Sequence, residues 1–253
     1  MLRLTRASRR ARRGRETGGV QRGTAGDNPT GCAFADRADA GRQLAARLHH
    51  LGRARPVVLG LPRGGVPVAA EVARALGAPL DVVLVRKVGV PGRPELAVGA
   101  VGEGGVRVVN EEVRQAAHVD AHTLATLEAH ERDVLDRRAA EARSRGRHPA
   151  PLEGRCVVIV DDGIATGSTA AAACAVVRAR GACRVVLAAP VAPSRSLAPL
   201  SSAFDELDAV HVPEDFLAIG QWYGDFSQTT EGAVWALLSA GRDGYGRTHG
   251  YHQ

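Results

Sequence analysis

The stretch from Val157 to Thr169 (Val-Val-Ile-Val-Asp-Asp-Gly-Ile-Ala-Thr-Gly-Ser-Thr) constrains the fold of this chain more than any other. A run of branched aliphatic residues reads as a strand buried on both faces. Two adjacent carboxylates end it, and a Gly/Thr/Ser turn leads into an alanine-rich helix. Strand, loop and helix in this order set unpaired backbone N–H groups and hydroxyls at a helix N-terminus, where the helix dipole also favours negative charge. The carboxylates Asp161 and Asp162 cannot bind phosphate themselves. They accept hydrogen bonds from sugar hydroxyls, or help to hold a metal, beside the phosphate seat. Phosphate donors next to polyol acceptors describe a ribose 5-phosphate site.

The rest of the chain repeats this local order. Asp36 caps a helix with Ala40, Leu44, Ala45 and Leu48 on one face. Pro56 to Leu61 reads as a buried strand, followed by Pro62-Arg63-Gly64-Gly65 and a helix from Val66 to Leu76 that Gly77 stops. Leu80 to Val85 is a second strand. Val88 to Gly105, rich in Gly and Pro with no clear period, is expected to be a long mobile loop, with a short strand at Val106 to Val109. Glu111 to about Arg145 has helical spacing and predicts one long helix, packed on the sheet or on a second subunit. Further strands are expected at Arg155–Val160, Arg184–Ala189 and Ala209–Val212, with helices at Ser168–Arg180, Pro193–Leu200 and around Val234 to Leu238. Such alternation predicts an α/β fold, a mainly parallel sheet with helices on both faces and ligands at the carboxyl ends of its strands.

The net charge of +6 does not point to nucleic acid. Residues 1–31 carry eight arginines against Glu16 and Asp27, which leaves residues 32–253 neutral. A DNA-binding domain concentrates basic charge on one face of the fold. Residues 1–31 have almost no large apolar side chain and read as a disordered Arg-rich tail. Residues 32–240 are expected to form one domain and 241–253 a flexible tail. Lys87 is the only lysine in a chain whose other cations are arginines, so a compact ammonium is singled out there. The four cysteines show no zinc or redox spacing, no apolar run is long enough for a membrane, and a cytoplasmic protein is expected. His118 and His122, four apart, lack a third ligand in reach. Neither a Walker loop nor a GxGxxG follows any strand.

The residues from Val157 to Thr169 resemble the phosphoribosyl-pyrophosphate (PRPP) motif of type I phosphoribosyltransferases: hydrophobic strand, Asp-Asp, three residues, Thr-Gly, then small hydroxylated residues. An ordinary capped turn is the alternative. The resemblance covers about Phe34 to Leu238 and implies the type I phosphoribosyltransferase fold, with a long inserted helix and a small C-terminal hood. It implies a Mg²⁺-dependent pentosyltransferase that moves the phosphoribosyl group of PRPP to a nitrogen of a nucleobase-like acceptor. Asp161 and Asp162 would hold ribose hydroxyls, with Gly163 and Ala165, Thr166, Gly167, Ser168 and Thr169 around the 5-phosphate. Arg63, Gly64 and Gly65, together with Arg86 and Lys87, would receive the pyrophosphate beneath a closing loop. Arg63, Lys87, Asp161 and Asp162 would be the catalytic set.

The segment Pro213 to Phe226 more loosely resembles the nucleobase side of purine enzymes. Phe216, Leu217 and Trp222 are candidates for the base, and Asp225, with Asp162, for the metal; core packing of those aromatics is the alternative. Ala165 stands where 6-oxopurine enzymes of the family carry a third Asp, which argues against a hypoxanthine or guanine acceptor. The partners implied are PRPP and a small nitrogenous base, with no specific nucleic acid and no membrane; a homodimer is left open. The competing class is a PRPP-binding sensor or regulatory module without turnover.

Overall fold

The computed structural model of the chain describes residues 32–249, with side chains to residue 241. The expected N-terminal tail and the last four residues lie outside the described residues. The chain opens with α1 (Arg37–Leu48), whose cap Asp36 accepts a hydrogen bond from the Asp39 backbone N–H at 2.7 Å. A cap of this kind is worth about 1 kcal/mol. Next come β1 (Val57–Gly60), α2 (Gly65–Leu76) and β2 (Leu80–Val82). Three further strands, β3 (Val85–Val90), β4 (Arg93–Gly102) and β5 (Val106–Val109), precede α3 (Glu111–Ala116) and α4 (Ala121–Ser144). The second half holds β6 (Cys156–Val160), α5 (Ser168–Ala179), β7 (Arg184–Val191), α6 (Ser194–Leu197), β8 (Glu206–His211) and α7 (Glu231–His249).

Five strands pair in parallel in the order β2-β1-β6-β7-β8. Their side chains alternate between two cores, as a sheet covered on both faces requires. Val58, Val158, Val160, Val186 and Ala188 face α1, α2 and α7. Val57, Leu59, Val157, Ile159, Val185 and Leu187 face α5. The mainly parallel α/β architecture is therefore the one expected. Strand β8 runs from Glu206 to His211, three residues earlier than the expected strand. No described helix is long and apolar enough to cross a membrane.

Two expectations are corrected. The supposed loop from Val88 to Gly105 is an antiparallel sheet, β3-β4-β5, in which Val90 pairs with Arg93 across a Pro91-Gly92 turn. Pro-Gly is turn chemistry, and it hid two strands interrupted by other glycines. Val98, Ala100 and Val101 are buried, so this ribbon has a core face of its own. The supposed single helix from Glu111 is two helices. The chain turns at His118 (φ 51°), and Asp120 caps α4 by accepting from Thr123 N–H at 2.7 Å. His118 therefore lies in the break and His122 in α4, so helical spacing does not relate them. Leu124, Leu135, Ala139 and Ala142 bury α4 against the ribbon. Helix α7 continues to His249, past the domain end expected at 240.

Candidate active site

Strand β1 leads outward to β2 on one side and lies against β6 on the other. The crevice at the carboxyl ends of β1 and β6 is therefore a topological switch point, the place where open α/β sheets bind ligands. Two loops meet there. Leu61 N–H donates to the Val160 carbonyl at 2.8 Å, which stitches the turn after β1 to the end of β6. A Cβ on Gly64 would lie 2.0 Å from Asp162 Oδ2, so only glycine lets the backbone come this close to the carboxylate. A Cβ on Gly65 would lie 2.6 Å from the Val160 carbonyl oxygen. Arg63 follows a cis peptide from Pro62 and stands exposed at the rim.

The acidic pair is held from several sides. Asp161 Oδ1 accepts the Asp162 N–H at 2.9 Å. Arg37 Nε donates to Asp162 Oδ2 at 2.8 Å, with only 12% of each side chain exposed. The same guanidinium donates to the Ser227 carbonyl at 2.8 Å and sits 3.9 Å from the centre of the Phe226 ring. Tyr223 Oη donates to the Asp162 carbonyl at 2.5 Å. Burial pushes the Asp161 carboxyl well above the usual carboxylate range, the Asp162 charge pushes it further, and Arg37 pulls the other way. Burial, then Asp162, raises the Tyr223 hydroxyl too, so it remains a neutral donor.

The turn expected to seat the phosphate follows at once in the chain. Ile164 N–H donates to the Val191 carbonyl at 2.9 Å and anchors the turn. Gly167, in the left-handed region (φ 78°), then bends it into α5. Ala165, Thr166 and Thr169 are exposed, and Thr166 Oγ1 lies 3.0 Å from Ser168 Oγ. Lys87 Nζ reaches Ser168 Oγ at 3.3 Å and Glu95 at 3.3 Å. The lone lysine is thus carried by the antiparallel ribbon to the N-terminus of α5. Its neighbour Arg86 points to the opposite face, as strand alternation dictates, and pairs with Glu131 of α4 at 2.6 Å. Arg86 is therefore not brought to Lys87 and Ser168.

The segment 213–226 walls the crevice beside the acidic pair. Ile219 packs on Gly163, where a Cβ would meet it at 2.5 Å. Phe216 is buried, with its carbonyl held by Arg195 at 3.0 Å, and Leu217 is 93% exposed. The Trp222 ring stacks on His211 at 5.4 Å between centroids. Ser196 Oγ donates to the Ala165 carbonyl and so joins α6 to the phosphate turn. The Asp225 carboxylate accepts the Ser227 N–H at 2.8 Å, which lowers its pKa. Sequence reasoning missed Arg37, Tyr223, Arg195 and Ser196. Only Tyr223 had a signal, inside the aromatic segment.

No three His, Cys, Asp or Glu side chains are gathered as a metal cage among the described residues. Mg²⁺ does not require one, because it is commonly held by one or two carboxylates together with water and substrate phosphates. Asp161 and Asp162 are adjacent carboxylates at the end of β6, and Arg37 engages one oxygen of Asp162. Asp161 and Asp162 fit that shared mode.

The phosphoribosyl transferase domain family matches residues 34–220. Two proteins of Mycobacterium tuberculosis, from strains CDC 1551 / Oshkosh and H37Rv, are 55% identical over 205 residues, and their names provisionally assign them as phosphoribosyl transferases. The match covers 81% of this chain and 46% of each relative, so the chain spans about half the length of these curated proteins. The crystal structure of TT1426 from Thermus thermophilus superimposes with a TM-score of 0.77 at 51% identity, over 81% of this chain and 97% of that one. With a family match across most of the chain and the crevice it encloses, this protein belongs to the phosphoribosyl transferase domain family.

Proposed function

We propose that the crevice transfers the 5-phosphoribosyl group of PRPP to a nitrogen of a small nucleobase-like acceptor and releases pyrophosphate. The observation that carries this reading is the approach of Lys87 to Ser168 at the N-terminus of α5, in the same crevice as Asp161 and Asp162. Backbone N–H groups from Gly167 to Thr169, with the Thr166 and Ser168 hydroxyls, take the 5-phosphate. Asp161, and the Asp162 oxygen that Arg37 leaves free, accept the ribose hydroxyls. Lys87, the rim residue Arg63 and the N–H of Gly64 receive the pyrophosphate, whereas the Gly65 N–H is already donated to the Leu61 carbonyl at 3.0 Å. Asp161 and Asp162 would hold Mg²⁺, which would supply positive charge against the departing pyrophosphate.

The C1–O bond to pyrophosphate breaks with its electron pair on the leaving group, a nitrogen lone pair forms the C1–N bond, and the acceptor releases a proton. Ala165 gives the turn no carboxylate to take that proton, which argues against 6-oxopurines.

One observation favours a second reading, a PRPP sensor without turnover: Asp162 is already neutralised by Arg37. The deciding experiment is pyrophosphate release from PRPP and Mg²⁺ across a panel of purines and pyrimidines. Release that depends on one acceptor supports transfer. Tight PRPP binding with no release for any acceptor assigns the sensor. Replacing Asp161 and Asp162 together by Asn is expected to weaken PRPP about tenfold by calorimetry, since the charge-assisted hydrogen bond to Asp162 is lost; unchanged affinity would remove the acidic pair from the site.

A further inference from the structure

Arg37 reaches the crevice from the first turn of α1, and its partner Asp162 lies 125 residues on in the chain. Other arginine–carboxylate pairs join neighbouring turns of one helix, as Arg42 and Asp39 do, or leave the guanidinium exposed, as in Arg47 with Asp208. At only two places among the described residues are both partners exposed by 12% or less. One is Arg147, which Asp81 and Glu103 share at 2.5 and 2.6 Å. The other is Arg37 with Asp162, and it lies in the crevice.

This guanidinium is fixed on three sides. Nε donates to Asp162 Oδ2 at 2.8 Å, Nη1 donates to the Ser227 carbonyl at 2.8 Å, and the centre of the Phe226 ring is 3.9 Å away. The segment that supplies Phe226 and Ser227 is tied to the residues before α1, because the Gly224 and Asp225 N–H groups donate to the Phe34 and Ala35 carbonyls, each at 2.8 Å. Arg37 is therefore placed by its surroundings and not by Asp162 alone. On the carboxylate, Oδ2 is taken by Arg37 and pressed by the Gly64 backbone, whereas Oδ1 accepts no hydrogen bond among the described residues. A fixed guanidinium and a divalent metal compete for such a carboxylate. A dication that approaches the pair meets the repulsion of Arg37 together with the attraction of Asp162, so the net pull is small.

We propose that Arg37 is the resident counter-ion of Asp162: it positions the carboxylate with one oxygen open and keeps a divalent metal off the free protein, so that metal is held only when substrate oxygens join the acidic pair. Arg37 acts through Asp162 and is a positioning residue. The entry of metal with substrate rests on the PRPP reading of the crevice; the exclusion of free metal does not.

The test is calorimetric titration of the full chain with Mn²⁺ alone, and separately with PRPP in excess Mg²⁺. Arg37→Gln keeps a polar side chain and removes the charge, and it is expected to bind Mn²⁺ about tenfold more tightly than the parent, a modest share of the Coulomb repulsion removed. Arg37→Lys keeps the charge and is expected to stay within about threefold of the parent. With PRPP the sign reverses: Arg37→Gln is expected to bind about fivefold more weakly, because Asp162 is no longer held. A merely structural arginine would move both titrations the same way. Mn²⁺ bound by Arg37→Gln no more tightly than by the parent, including no binding to either, would overturn the proposal, and so would PRPP affinity that is unchanged or higher in that variant. A parent that binds no PRPP, while Arg37→Gln still gains Mn²⁺, would remove the PRPP reading and support the counter-ion role. If Arg37→Gln does not fold, Arg37→Gln combined with Asp162→Asn removes the pair without a change of net charge and is expected to bind Mn²⁺ within about threefold of the parent. A loss of about tenfold there would show that Asp162 serves the metal while paired, which overturns the proposal.

Discussion

The two halves of the crevice are built in opposite ways. The acidic half is locked. Asp162 is fixed through its carboxylate by Arg37 and through its carbonyl by Tyr223, and the Gly64 backbone presses against it with no room for a Cβ. The phosphate half is open. Thr166 and Thr169 are exposed, Lys87 makes two long contacts at 3.3 Å, and the ribbon that carries it is exposed from Pro91 to Leu96. A preformed half costs little to organise when ligand arrives, whereas an open half must lose rotamer freedom at that moment. Under the proposed transfer, the sugar end of PRPP would therefore meet a finished surface, and its phosphates would order their own surroundings.

The largest effect that could break this contrast is at Arg37. Arg37→Met leaves Asp162 without its partner in a largely dry place. Removal of one member of a buried pair costs about 3–5 kcal/mol, and about 3 is expected here after allowance for the small exposure of both side chains. Urea unfolding measures it. Arg37→Lys should recover only part, because an ammonium cannot bond Asp162 and the Ser227 carbonyl as a planar fork while lying on Phe226. A loss below about 0.5 kcal/mol would mean that the acidic half is not locked by this contact.

The same contrast decides what could be read from the sequence. Asp161, Asp162, Gly167 and Ser168 act within one strand-turn-helix unit, so their spacing carried them. Lys87 stood out by composition, and the structure brings it to Ser168 from 81 residues away. Arg37 had no such mark. It is an ordinary arginine in the first turn of a capped helix, and its partners Asp162, Phe226 and Ser227 are distant in the chain. Arg86 was legible only as a basic residue beside Lys87. Once the segment proved to be a strand and not the end of a loop, alternation had to send it to the other face, towards Glu131. The ribbon itself was hidden because its glycines and prolines look like loop, while what holds it is a tertiary match to α4 and α5.

In the open half, Lys87→Ala is expected to weaken PRPP about tenfold, the worth of one charge-assisted contact. Stability should change by less than about 0.5 kcal/mol, since its partner Glu95 is mostly solvated. Lys87→Arg should restore affinity only in part. A melting temperature that falls while PRPP affinity holds would make Lys87 a structural residue and erase the difference between the halves.

The smallest effect concerns Asp161 and pH. Its pKa in the folded protein is raised, first by burial and then by Asp162. The folded protein therefore keeps a proton that the unfolded chain releases above about pH 4. The stability from this group is full below the unfolded value and is lost as pH rises through the raised one. Asp161→Asn is neutral at every pH and its amide oxygen can still accept the Asp162 N–H, so it should match the parent near pH 4 and exceed it at pH 8–9. About 1 kcal/mol is expected after discount for the group's partial exposure, or about 2–4 °C in Tm for a chain of this length. Thermal melts at three pH values measure it. A variant less stable at high pH would show that the charge of Asp161 is satisfied in the free protein. The locked half would then be complete without a cation or a sugar to answer it.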